Sequence, residues 1–411
     1  MRAFASFLLV GLAVVACQGG GGESSRPDIV IASDLPTSAN GSTTLLLEQA
    51  VDFAIRQQPT IDGLKVAYWP LDNALGAQPS QLRGRENVKR MIADPRVLGM
   101  IGPYGSFVGR VTMPVANLAN LAMVSPTTTG SCLTVASRPS CRPTLAELRP
   151  NGSNNYFRIT SRDPLQGKAM GDYAATKLGL RRAAAFNGFG DEGSLYVSEF
   201  SKEFAAHGGG LVYQEDFDEM PDDFSAFLIQ AKARGADAIY AVANTAQNAC
   251  KVAAQMTGLL PGAVLLGVEG MSLDTDCIRD LGPTPPGVWA TLPAIDAEAS
   301  TDPAVKKLVG DFHKSYPNAS NVSLFDPYTF AAYDCARILI DAISRAIKAN
   351  GGKVPSRAQV VAALAGTNNF VGVTGTYSFD KNGDAISPMM SVYRVQDKRW
   401  ELVKVYRFGS P

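Results

Sequence analysis

The chain has 411 residues with 38 basic and 38 acidic side chains and no Lys/Arg run or basic stripe, which argues against nucleic acid as a partner. An apolar share of 46% and a charged share of 18% suit a globular protein long enough for two domains with proper cores. Two histidines, and six cysteines with no CxxC pair, leave little from which to build a zinc or redox centre, so no metal or cofactor is expected.

Met1-Arg2-Ala3 leads into an apolar run from Phe4 to Ala16, too short to span a bilayer and broken by Gly11; residues 1–16 read as a secretory signal. Val14-Val15-Ala16-Cys17 resembles a bacterial lipobox, with Val14 where Leu is usual. The resemblance implies that Cys17 is lipidated and begins the mature chain; an ordinary signal peptide cleaved nearby is the alternative. Either way the mature chain is exported. Residues 17–27 then form the anchor and a Gly-rich tether.

From Ile29 short apolar runs alternate with amphipathic stretches. "DIVIAS" reads as a strand and "TLLLEQAVDFAIRQQ" as a helix with Leu46, Leu47, Ala50, Val51, Ala54 and Ile55 on one face. The pattern continues through "LKVAYWPLD", "SQLRGRENVKRMIAD", "VLGMIGP", "SFVGRVTMPVANLAN" and "LAMVSP". Such a βαβαβαβ series predicts a parallel sheet covered on both faces. After a polar loop a second series runs from "YFRITS" through the helix 163–178, "AAAFN", the helix from Ser194, "LVYQEDF", "DDFSAFLIQAKARG", "DAIYAVA", the helix from Gln247 and "AVLLGVEG". Near the C-terminus, Asn382-Gly383 between alternating runs is a hairpin signal.

Cys132 and Cys141 flank the loop "CLTVASRPSC" and are expected to be bridged in an oxidising compartment. Cys250 and Cys277 could form a second pair, and Cys335, on the helical pattern "YTFAAYDCARILIDAI", reads as a buried small hydrophobe. There is no G-x-S-x-G elbow, H-E-x-x-H or Walker A loop, and neither His207 nor His313 sits in a catalytic pattern, so no enzyme is expected.

Ligands of open α/β sheets sit beyond the carboxyl ends of the strands. Three loops there carry suitable chemistry. Gly102-Pro103-Tyr104-Gly105-Ser106 brings a hydroxyl to a helix start, suiting a carboxylate unless Ser106 is only the N-cap. Thr127, Thr128 and Thr129 place three hydroxyls on the next turn, and Glu269 ends "VLLGVEG", where an acid facing a cleft would pair with a cation. A fourth loop spells Gly188-x-Gly190-x-x-Gly193, the dinucleotide fingerprint, which raises the alternative of an exported dinucleotide-dependent oxidoreductase. Asp191 and Glu192 put two negative charges where a pyrophosphate would lie, and that counts against it.

The pieces "MIGPYGS", "MVSPTTTGSCLT", "YFRITSRDPLQGKAMGDY", "DDFSAFLIQAKARGADAIYAV", "LLGVEGM", "YTFAAYDCARIL" and "VGVTGTYSFDKNGDAI" occur in an order that resembles the type I periplasmic solute-binding proteins of ABC importers, in their branched-chain amino acid (Leu/Ile/Val) branch. The resemblance implies an α/β fold of two Rossmann-like doubly wound lobes. Lobe 1 would take residues 28–157 and 291–374, and lobe 2 residues 158–290 and 375–408. Three hinge crossovers would fall near 156–160, 288–292 and 374–379. It also implies that Ser106 and the turn Thr127–Thr129, with Tyr104 beside them, bind an α-carboxylate, while Glu269 takes the α-ammonium. Where that branch has Tyr-Gly this chain has Glu192-Gly193, beside Phe189, and where it has an aromatic this chain has Asn244 or a close neighbour; a more polar or differently shaped ligand than leucine is expected. The expected partners are a small-molecule ligand, permease subunits and, through the anchor, a bacterial membrane, with the receptor itself a monomer. A ligand sensor without transport would share the same fold and site.

Overall fold

Every residue of Ile29–Leu35 (β1) is buried, as a strand covered by helices on both faces must be. The computed structural model describes residues 26–39, 43–76, 78–136, 138–243, 246–272, 287–317 and 327–409. The signal, Cys17, most of the tether, Asn244 and Cys277 lie outside them. Strands β2 (Thr60–Ile61), β3 (Leu64–Asp72), the separate small hairpin β4 and β5 (Ala74–Leu75 and Gln78–Pro79), β6 (Val97–Ile101), β7 (Ala122–Ser125) and β8 (Tyr156–Arg158) follow. The first sheet has the order β2-β3-β1-β6-β7-β8, parallel apart from the β2–β3 edge pair.

The second sheet is built from β9 (Arg182–Asn187), β10 (Gly210–Asp216), β11 (Ala238–Val242), β12 (Val264–Gly267) and β13 (Val288–Leu292). After the two-residue strands β14 and β15 (Phe370–Val371 and Thr376–Tyr377), β16 (Met389–Gln396) and β17 (Arg399–Arg407) complete it. Its order is β10-β9-β11-β12-β13-β16-β17, parallel up to β13 and antiparallel beyond. The expected doubly wound α/β architecture with two lobes is what the chain adopts. In each sheet connections leave toward opposite edges, at β1/β6 and at β9/β11. At those switch points the carboxyl ends of the strands open onto a crevice.

The 22-residue helix Tyr328–Ala349 is buried along most of its length and packs on β6, β7 and the helix Thr43–Arg56, so the chain returns to the first lobe before crossing again. Its buried Asp334 accepts bonds from the backbone N–H groups of Val373 (2.9 Å) and Thr374 (2.8 Å), which fixes the last crossover.

One expectation needs correction, and another holds only in short form. Val288–Leu292 is a complete strand of the second sheet, so the middle crossover begins only after Leu292. Asn382-Gly383 turns the chain between a single bridge, Phe379 to Ala385, while the long hairpin is β16–β17. That hairpin turns at Asp397 and Lys398, both with φ near the left-handed region (48° and 60°), a primed turn spelled without the usual Asn-Gly. Gly383 instead lies against β8, where a Cβ would stand 2.0 Å from the Tyr156 carbonyl oxygen.

Candidate functional site

The loops singled out in the sequence converge. A cavity of about 250 Å³ lies between the lobes, walled by Tyr104, Ser106, Thr127, Thr129 and Gly130 from the first and by Phe189, Glu192 and Glu269 from the second, among others. Ser106 is the first residue of the helix Ser106–Leu118, and Gly105 is its N-cap, with no side-chain capping bond. The Ser106 hydroxyl therefore faces the cavity side of the turn, where its oxygen accepts from the Gly130 N–H at 3.0 Å. The simple capping role is ruled out, and the hydroxyl proton stays available for another oxygen.

The threonine turn divides. Thr129 Oγ1 donates to Glu269 Oε1 at 3.3 Å, which spans the two lobes. Thr127 lines the cavity but donates its own proton to the Tyr104 carbonyl at 2.6 Å. Thr128 does not line it: its hydroxyl turns into the first lobe, onto Ser125 Oγ (2.7 Å) and the Tyr156 hydroxyl. Three adjacent residues on a tight turn cannot all point one way, and the middle one pins the turn down.

Glu269 opens a short helix after β12, and Gln166 accepts from its backbone N–H at 3.0 Å. Tyr328 donates to Glu269 Oε2 at 2.7 Å. Nearby, Asp163 precedes the helix Pro164–Thr176 without capping it and accepts from the Tyr196 hydroxyl at 2.6 Å. Both carboxyls are displaced upward, first by burial; for Glu269 the negative charge of Asp163 adds to this, bringing it to about 8. The cavity has three acids among its walls, of which Glu192 is paired to Arg110; Asp163 and Glu269, beside Tyr104, Tyr196 and Tyr328, leave an electrostatic demand that a cation carrying several N–H donors meets.

Glu192 has a different occupation from the one its position suggested. Its Oε2 lies 2.9 Å from Arg110 Nη2 and its Oε1 3.5 Å from Arg138 Nη2, both arginines belonging to the first lobe. It is the counter-ion of two guanidiniums across the cleft mouth, where Phe189 forms the half-exposed lip. The glycines of the fingerprint serve the backbone. Gly190 has φ +56°, and a Cβ on Gly193 would stand 1.8 Å from Asn187 Oδ1. With Asp191 and Glu192 in the first turn, this helix start repels a phosphate.

Cys132 and Cys141 are bridged, as expected, and close the loop that carries Arg138. Cys250 is disulfide-bonded and Cys335 is free and buried, whereas Cys277 lies outside the described residues. Replacing Cys132 and Cys141 together by Ser is expected to cost about 2–3 kcal/mol by the loop-closure relation, read as a lowered thermal midpoint.

The model of a family described as "Periplasmic binding protein" matches residues 31–399, nearly all of the described chain. The chain belongs to the periplasmic binding protein family. Among its relatives is a protein of Pseudomonas aeruginosa named "Amino acid binding protein", 22% identical over 338 residues, 82% of this chain and 81% of that one. A leucine-binding protein, LivK, from Thermotoga maritima shares the fold with a TM-score of 0.71 at 25% identity, covering 92% of this chain and 98% of its own. A solute-binding protein of an ABC transporter from Rhodopseudomonas palustris, solved with 3,4-dihydroxybenzoic acid, has a TM-score of 0.69 at 18% identity over 93% and 97% of the two chains. One periplasmic binding protein scaffold thus accepts both amino acids and aromatic acids, so the walls decide the solute.

In this periplasmic binding protein the walls include five residues that sequence reasoning did not select: Arg110, Arg138, Asp163, Tyr196 and Tyr328. Arg110 could have been found, because it stands four residues after Ser106 on the same helix face. Asp163-Pro164 carried the opposite signal, that of an ordinary cap. Nothing local marks Tyr196, Tyr328 or Arg138. No helix among the described residues is long and apolar enough to cross a membrane.

Proposed function

We propose that the chain is the extracytoplasmic receptor of an ABC importer, anchored through Cys17, which clamps an amino acid or a related small polar solute between its lobes and delivers it to permease subunits. It works by binding alone, and the cleft carries no covalent step. The observation that supports this best is the pairing of opposites across one cavity: Ser106 and the Gly130 turn on the first lobe, Glu269 on the second, joined directly by Thr129 and Tyr328. The Ser106 hydroxyl and neighbouring N–H groups suit the α-carboxylate, and Glu269 with Asp163 suits the α-ammonium. These bonds form together only with the lobes closed, so ligand shifts the hinge equilibrium by its preference for that state.

A thermal-shift screen of amino acids, amides and small carboxylates, followed by calorimetry, tests the reading. At least one α-amino acid is expected to raise the midpoint, and Ser106→Ala to weaken it about tenfold, the loss of one charge-assisted hydrogen bond. Unchanged affinity in both Ser106→Ala and Glu269→Gln would remove the site from this cavity.

A further inference from the structure

We infer that the solute carries a second anionic group, received by Arg110 and Arg138 beside Glu192, so that the ligand class is α-amino acids with an acidic side chain. This rests on the amino-acid reading of the inner cavity. Beyond that cavity lies a second of about 340 Å³, walled in part by Arg138, Arg142 and Asp191, and the two share Arg110, Phe189 and Glu192. Arg110 is one helical turn from Ser106, so a solute whose α-carboxylate sits at Ser106 extends its other end toward this partition.

Around the second cavity three guanidiniums, those of Arg110, Arg138 and Arg142, face two carboxylates, those of Asp191 and Glu192. One carboxylate, Glu192, serves two guanidiniums, at 2.9 and 3.5 Å. The side chain of Arg138 is only 15% exposed. Its Nε and Nη1, and Nε of Arg110, are buried without a hydrogen-bond partner. Arginine cannot escape by losing a proton, so these donors need an acceptor. Arg142, whose Nη1 donates to the Pro139 and Cys141 carbonyls at 3.1 and 2.8 Å, adds a third positive charge immediately after the disulfide-closed loop. A leucine side chain would leave the forks unmatched, and a cationic one would meet like charge. A carboxylate matches a guanidinium fork bidentately.

Calorimetry with the purified protein compares aspartate, glutamate and α-aminoadipate with asparagine, glutamine and leucine. At least one acidic amino acid is expected to bind tenfold or more tightly than the neutral set, and Arg138→Gln to bring that ratio below about threefold, with Arg138→Lys between the two. Arg110→Gln is the second variant, and the apo midpoint of each variant reports its fold. If the neutral amino acids bind as tightly as the acidic ones, or if the ratio survives both Gln variants, the second-anion assignment is wrong while the amino-acid reading stands. If no amino acid binds, or only carboxylates without an amino group do, both readings fall.

Discussion

Glu269→Gln is expected to weaken amino-acid binding by about 10²–10³-fold, because the ammonium then enters a buried site without the Glu269 charge that compensates it, a loss of about 3–4 kcal/mol. The same residue gives binding a pH dependence of definite sign. Burial, and then the Asp163 charge, raise the Glu269 carboxyl from 4.5 to about 8 with the lobes together, so in the empty closed site at pH 7 it is mostly protonated. An ammonium ligand requires the carboxylate, and binding therefore expels a proton. Affinity should rise with pH toward about 8 and fall roughly tenfold per unit below it. Calorimetry at pH 7 in buffers of different ionisation enthalpy should count the proton released. In Glu269→Gln the release should shrink and the pH slope flatten.

Stability should move the other way. An acid whose folded pKa is raised stabilises the fold fully below its unfolded value of 4.5, and this contribution is lost as pH rises through about 8. Glutamine keeps the neutral form, so the free variant at pH 8 should melt no lower than the native chain. A variant that binds normally, or a native receptor that releases no proton, would take the ammonium away from Glu269.

The elements were legible because parallel strands buried on both faces read as apolar runs, as in Ile29–Ala32 at the start of β1 and in Ala238–Val242. Turn chemistry was less so. Asn382-Gly383 has the spelling of a hairpin and turns a short one, but glycine is demanded there twice, by φ +90° and by the Tyr156 carbonyl, a contact from more than 200 residues away in sequence. Loop order located Ser106, Thr129 and Glu269, since position beyond a strand's carboxyl end follows from topology alone. Direction did not: Thr127, Thr128 and Thr129 share a turn and point to a backbone carbonyl, the lobe interior and the opposite lobe. Glu192 shows the same limit with charge. Its sign and place at the lip were readable, but whether it faces solute or arginine depends on Arg110 and Arg138, which reach it from the other lobe.

Arg158→Met is expected to be the most damaging substitution for the fold, at about 3–5 kcal/mol, with a loss of ligand affinity of tenfold or more. Arg158 ends β8, is wholly buried, and holds Asp384 of the last crossover turn at 2.6 Å. Its remaining N–H groups donate to the carbonyls of Gly130 (2.9 Å) and Thr128 (3.3 Å) and to Thr134 Oγ1 (2.7 Å). The Gly130 N–H is the one bonded to Ser106 Oγ, so the same side chain that ties β8 to the C-terminal turn also fixes the carboxylate-binding loop. Methionine fills the volume but strands Asp384, which Arg162, at 3.5 Å and partly exposed, compensates only in part. It also takes the donor from Thr134 Oγ1 and weakens the hold on the Thr128 and Gly130 carbonyls, which keep the Thr160 hydroxyl (2.8 Å) and the Leu133 N–H (3.3 Å). Removing both charges separates these costs. Arg158→Met with Asp384→Leu should be more stable than the single Arg158→Met variant, because no lone charge stays buried, yet it should not recover affinity, because the Thr128–Gly130 loop is still unpinned. Urea unfolding of the two variants and of Asp384→Leu alone completes the cycle. Additive losses would mean that the pair contributes nothing as a pair, and full recovery of binding in the double variant would free the loop from any dependence on Arg158.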